Sequence, residues 1–141
     1  MTLIKQLEEQ LEELFSNRTD SYKNTTVKEA YKTLPRTKYP MVTIQEIENS
    51  EVENRTTSEG EKTTRLSYQI MCYSRDTEEY DYVESARFMG NIVNDYIMEN
   101  YKMRRLGTPV SQPYLQDNTV MVCTQRYSCV YDKETNLIYK N

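Results

Sequence analysis

The chain contains no histidine, which removes the commonest general base and the commonest metal ligand together. Its three cysteines are Cys72, Cys123 and Cys129. Cys123 and Cys129 lie six residues apart in a segment that alternates like a strand, so roughly 20 Å would separate them on one face. Neither a disulfide nor a shared zinc spans that distance, and the cysteines read as small buried hydrophobes. With three glycines, Gly60, Gly90 and Gly107, neither GxGxxG nor a P-loop can be built, and no GxSxG elbow is present. Paired carboxylates such as Glu12–Glu13 and Glu78–Glu79 are numerous, but they fall on what read as solvated helix faces. The expectation is therefore no catalytic residue, no cofactor and no metal: not an enzyme, but a protein that works through contacts with other proteins.

The elements that would position such contacts follow from periodicity. Over residues 2–15, Leu3, Leu7, Leu11, Leu14 and Phe15 share one face, opposite Lys5, Glu9, Glu12 and Glu13, which predicts an amphipathic helix with Thr2 as a possible N-cap. Residues 16–40 are polar and punctuated by Pro35 and Pro40, and read as an irregular connection with one helical turn near Val27–Tyr31. The period then becomes two, with Val42 and Ile44 alternating with Met41, Thr43 and Gln45. Leu66, Tyr68, Ile70 and Cys72 alternate likewise with Ser67, Gln69, Met71 and Tyr73. Between these strands, residues 48–64 are rich in Glu, Asn, Thr and Ser.

A long helix is predicted over about 77–105, with Asp76 and Glu79 as a capping box and Gly107 beyond its C-terminus. Its apolar stripe runs through Tyr82, Val83, Ala86, Met89, Gly90, Val93, Tyr96 and Ile97. Gly90 costs about 1 kcal/mol against Ala in a helix interior, which favours a close approach of another element there. The cluster Lys102, Arg104, Arg105 reads as a helix C-terminus complementing the macrodipole, ahead of a phosphate site. Pro109 and Pro113 confine 108–116 to an edge-like strand. In the strand over 119–131, Met121, Cys123, Tyr127, Cys129 and Tyr131 face one way and Val120, Val122 and Val130 the other. A turn at 132–136 and a short strand at 137–139 close the chain.

The fold expected is one α+β domain over 1–141. It has a mostly antiparallel sheet with two helices packed on one face, in the order α-β-β-α-β-β-β, and a long β-hairpin arm at about 48–64. The other sheet face is not cleanly polar, since Met71, Tyr73, Val120, Val122 and Val130 share it. Two covers stay open for it, another subunit or the N-terminal segment.

Composition narrows the partners. The 141 residues carry a net charge of −4 with 37% hydrophobic residues, and 13 tyrosines supply much of the apolar area. Each buried tyrosine hydroxyl needs a polar partner. The acidic balance argues against sequence-independent nucleic-acid binding, which requires a basic footprint. No apolar run approaches the ~20 residues of a membrane span, and the N-terminus turns acidic where a signal peptide stays apolar. The cytosol is the expected address, and the sequons at Asn17, Asn24 and Asn54 read as chance matches.

An amphipathic N-terminal helix, Tyr39-Pro40-Met-Val-Thr-Ile44 leading into the first strand, a polar hairpin, Arg65-Leu-Ser-Tyr-Gln-Ile-Met-Cys-Tyr-Ser74, a long helix and a closing β segment follow one another over residues 2–140. This layout resembles the tail terminator, or tail completion, proteins of long-tailed bacteriophages and phage-tail-like particles. The resemblance rests on layout and strand texture, and it brings no catalytic residues. It implies a virion structural protein at the head–tail junction, assembled in the bacterial cytoplasm. Copies of it would form a homo-oligomeric ring, usually a hexamer, that caps the tail-tube protein, stops its polymerisation and docks to the head–tail connector or stopper protein. DNA would pass through without specific binding. The alternatives are a head-completion or stopper protein at the same junction, and a small bacterial regulatory or nucleic-acid-binding domain. The residues expected at subunit or partner contacts are Glu51, Glu53, Arg55, Glu59 and Lys62 in the arm and Met71, Tyr73, Val120 and Val122 on the second sheet face. The arm is expected to order as a hairpin against a neighbour, since it has little apolar surface to offset its own ordering cost.

Overall fold

The computed structural model describes residues 2–30, 38–51, 63–132 and 137–139. At the ends of these spans (49–51, 63, 131–132 and 137–139) it describes the backbone alone. Helix α1 spans Leu3–Ser16. Its N-cap is Thr2, whose Oγ1 accepts the Lys5 N–H at 3.3 Å, as the sequence predicts. Leu3, Leu7, Leu11 and Phe15 are buried along one face. Leu7 and Leu11 are fully buried, and burial of each such side chain stabilises the fold by about 1.5–3 kcal/mol.

Strand β1, Thr26–Glu29, comes next. Here the structure departs from the helical turn expected at Val27–Tyr31. The four residues alternate half-buried and buried and pair in parallel with β2, Met41–Glu51. A helical turn would have rotated Val27 and Glu29 onto different faces, whereas both are buried. The β1 edge is closed by α1. Thr26 and Ala30 donate their N–H groups to Pro40 and Ile44 of the β2 side, so the alternate Glu29 N–H points outward, and the buried Glu8 carboxylate accepts it at 3.1 Å. A strand edge finished this way is a poor template for another chain.

β2 pairs antiparallel with β3, Thr63–Ser74, out to Glu51↔Thr64, with a bulge between Glu46 and Glu48. The strand pair thus extends into the segment expected to be the connection, and the remainder of the arm lies outside the described residues. Helix α2 spans Tyr82–Asn100, shorter at both ends than the predicted 77–105. At its start Asp81 is the N-cap, accepting from Glu84 N–H at 2.9 Å. Asp76 accepts from Tyr82 N–H at 2.7 Å, so it serves the helix from outside. Thr77 and Tyr80 close a turn between the two aspartates (Thr77 N to Tyr80 O, 2.8 Å). At its end, the backbone turns extended at Tyr101, because Tyr101 and Met103 bury their side chains. Arg104–Arg105 then pair with the sheet as strand β4. Gly107, with φ +75°, serves the turn that follows β4 rather than a helix cap.

β5, Val110–Tyr114, β6, Asp117–Asp132, and β7, Leu137–Tyr139, complete the sheet. The strand order is β1-β2-β3-β6-β4, with β5 and β7 also on β6. The element order is therefore α-β-β-β-α-β-β-β-β, with β1 and β4 added to the expected scheme. All pairings are antiparallel apart from β1–β2.

Both helices pack on one sheet face. Leu7 and Leu11 of α1, Met89, Val93 and Ile97 of α2, and Tyr68, Ile70, Cys72, Cys123 and Tyr127 of the sheet form one core. Gly90 is a close-approach site, as its cost in the helix suggested. A Cβ there would lie 2.6 Å from Gln125 Nε2 and 2.9 Å from Cys123 Sγ. The three cysteines are free and buried. Burial pushes the Cys72 thiol well above its ordinary range and that of Cys129 to about 11, which keeps them as inert thiols.

Tyrosine hydroxyls in this core are partnered. Tyr22 hydrogen-bonds Ser85 at 2.8 Å and Thr77 at 3.2 Å, and Ser85 continues the chain to Ser74. The single proton of the Tyr127 hydroxyl is shared between the side-chain oxygens of Asn94, at 2.9 Å, and Gln125. Tyr96 and Tyr101 of the second helix region both donate to Gln10 of the first.

Candidate functional site

Alternation in β3 and β6 sends Met71, Tyr73, Val120 and Val122 to the face opposite the helices, and the β3–β6 register sets Tyr73 beside Val122. There they meet Met41, since β2 pairs Met41 with Tyr73. Met41, Tyr73, Val120 and Val122 form a second, smaller core, with Tyr39, Met71 and Tyr114 packed partly buried against it. The expected grouping of these four contact candidates is thus present in one place. The N-terminal segment does not cover them, because α1 lies in the first core. Val120 is 0% exposed and Val122 5%, so both support the surface from beneath. What a partner can touch is the layer above: Met71, Tyr39 and Tyr114. Of the arm residues, Glu51 ends β2 opposite Thr64, while Glu53, Arg55, Glu59 and Lys62 lie outside the described residues.

The layer above is tied down by one side chain. Arg75 follows β3, stacks over the Tyr39 ring at 4.9 Å, and donates to Asp117 at 2.7 Å and to Thr119 Oγ1 at 3.2 Å. Asp117 also accepts from the Thr119 hydroxyl at 2.6 Å and the Thr119 N–H at 3.0 Å. These hydrogen bonds, the Thr119 hydroxyl first and Arg75 second, hold the Asp117 carboxyl down at about 2. The clamp joins the end of β3 to the start of β6, so the β5–β6 turn is held against Tyr39. Tyr114 packs edge-on to Tyr73, ring centroids 5.3 Å apart. Burial raises the phenols of Tyr39 and Tyr73 above their ordinary value.

Beside this aromatic layer the sheet face becomes a groove of about 440 Å³ lined by Gln69, Thr108, Gln112, Thr124 and Arg126, with Leu106 and Val110 at its margin. Val110 is 50% exposed, and Leu115, at the β5–β6 turn, is fully exposed. An unpartnered leucine beside half-exposed aromatics is suited to contact with another protein surface. Among the described residues no group of three or more metal-ligating side chains is gathered, and no helix is long and apolar enough to cross a membrane.

Sequence reasoning missed Tyr39, Arg75, Tyr114, Leu115 and Asp117. Tyr114 was not legible, because the β5 register shifts between Pro113 and Tyr114 and breaks the alternation there. The Arg75–Asp117 clamp was not legible either, because its members are 42 residues apart and neither position has a local pattern. The basic cluster also changes meaning. α2 has no basic residue in its last turn, so Lys102, Arg104 and Arg105 do not complement its macrodipole. They lie exposed on and before β4.

The chain matches no protein-family model and no curated protein.

Proposed function

We propose that the chain is a structural ring subunit of the tail terminator type. In this reading, copies of it close a ring on the finished tail tube, stop its polymerisation and offer a docking surface to the head connector. The observation that carries the reading is the second sheet face. It has its own small core, a clamp that holds its covering aromatics in place, and the exposed apolar side chains Leu115 and Val110 beside it. A contact face built this way is pre-organised, which lowers the ordering cost of association. The layout of helices and strands that carries the resemblance supports the same reading, as does a net charge of −4 per copy, which favours sliding over sticking for DNA that passes through.

The test is the native mass of the purified chain, by light scattering or native mass spectrometry, alone and with assembled tail-tube protein. The expected result is a closed ring on the tube ends and tubes that no longer grow. A chain that stays monomeric beside assembled tubes overturns the reading.

A further inference from the structure

Two clusters of exposed charge, opposite in sign, lie on the two sides of the sheet. α1 exposes Glu9, Glu12 and Glu13, like charges three and four residues apart that repel one another. Glu13 falls in the last turn, where the helix dipole is negative and no basic residue offsets it. On the far face the register places Arg65 of β3 opposite Val130 and Arg104 of β4 opposite Ser128, with Arg126 two residues further along β6. With strands ~4.8 Å apart and same-face residues ~6.8 Å apart, the Cα atoms of Arg104 and Arg126 are about 8 Å apart and that of Arg65 is within about 12 Å of Arg104. Among the described residues, Arg65 and Arg104 enter no ion pair, and Arg126 donates to the neutral Gln69 at 3.0 Å. Within each cluster like charges repel. Glu48, which accepts from Ser67 on the arginine face, and Lys5, one turn before Glu9 on α1, offset this only in part, so each cluster keeps an excess of one sign that the other opposes.

We propose that Glu9, Glu12 and Glu13 of one copy seat on the Arg65, Arg104 and Arg126 patch of the next. The two clusters lie on opposite faces of one sheet, so a single two-fold contact does not join both pairs. A head-to-tail contact does, and such contacts close rings or run on as filaments. Complementary patches of this kind steer encounter and fix register. The proposal rests on the ring reading above and assigns its interface.

Two charge-reversed full-length chains test it: Glu9→Lys with Glu13→Lys, and Arg104→Glu with Arg126→Glu. All four positions are exposed, and thermal melts matching the native chain establish that the variants are folded. Their masses are followed by light scattering at low and high salt with tail tubes present. Each variant alone should associate about 100-fold more weakly than the native chain, since like charges across an interface cost several kcal/mol and 1.4 kcal/mol is tenfold. An equimolar mixture should recover assembly, because every contact in an alternating ring then joins opposite charges. If both variants assemble as the native chain does, or the mixture of folded variants does not recover, the interface is elsewhere, and the ring reading still stands. If the arginine variant keeps its assembly but loses retention of a DNA oligomer that the native chain retains, the patch serves nucleic acid and the proposal is wrong. A native chain that never associates removes the ring reading and this interface with it.

Discussion

Beneath the helices, Leu7, Leu11, Ile70, Met89 and Ile97 are at most 1% exposed, and the hydroxyls of Tyr22 and Tyr127 are bonded to side chains. On the far face, four buried side chains lie under partly exposed rings held by a surface arginine. The two faces use the same strands and the same alternation, yet they differ in what finishes them. The first is closed by segments of its own chain that bring a full hydrophobic layer. The second is closed by Tyr39, Met71 and Tyr114, a layer one side chain thick. Stability should therefore reside mainly in the first face, and contact with the tail tube mainly in the second.

The sharpest way to break that comparison is a pair of leucine substitutions. Leu11→Ala, in the helix-covered core, should cost about 2–5 kcal/mol in urea unfolding. Leu115→Ala, at the exposed β5–β6 turn, should change stability by less than about 0.5 kcal/mol, yet weaken capping of tail tubes. If Leu115→Ala destabilises as much as Leu11→Ala, the division between the faces is wrong.

A smaller effect is expected at Gly90. An alanine there gains about 1 kcal/mol of helix propensity, but its Cβ would meet Gln125 and Cys123 inside van der Waals contact. Gln125 is 3% exposed and its amide oxygen is bonded by Tyr127, so it has little room to give. Overpacking of this kind costs about 1–3 kcal/mol, and the net change should be a loss of about 1 kcal/mol. A Tm that rises in Gly90→Ala would mean that Gln125 swings aside freely and that the helix–sheet approach is looser than the distances imply.

The smallest effect belongs to the Asp117 clamp and appears as a pH slope. The carboxyl is held at about 2 in the folded chain against an ordinary value of 3.8. As pH falls through 3.8, the unfolded chain takes up the proton first, so stability declines between there and about 2 and then levels off. Above 3.8 the contribution is fully present. Asp117→Asn should flatten this part of the Tm-versus-pH curve and leave the profile near neutrality parallel to the native one. An unchanged acid slope would show that the clamp is not formed in solution.

The sequence alone determined the parts of this protein that depend on short-range repetition. The apolar spacing of α1 and its Thr2 cap, the stripe of α2, the alternation of β3 and β6 and the separation of Met71, Tyr73, Val120 and Val122 from Cys72, Cys123 and Tyr127 all follow from periods of 3.6 and 2. Those periods are imposed by backbone geometry and need no knowledge of neighbours. The cost of Gly90 likewise pointed to a close approach before any neighbour was known. What the tertiary structure decided was where local preferences give way to long-range contact. Thr26–Glu29 became a strand because β2 offered it a parallel partner and α1 a carboxylate for its outer edge. α2 stopped at Asn100, despite helix-compatible residues beyond it, because burial of Tyr101 and Met103 and pairing with β6 outweigh another helical turn. The second face gained its covering rings and its Arg75–Asp117 clamp from segments dozens of residues apart. No window of sequence contains such a contact, because its free energy exists only once the chain has been brought together.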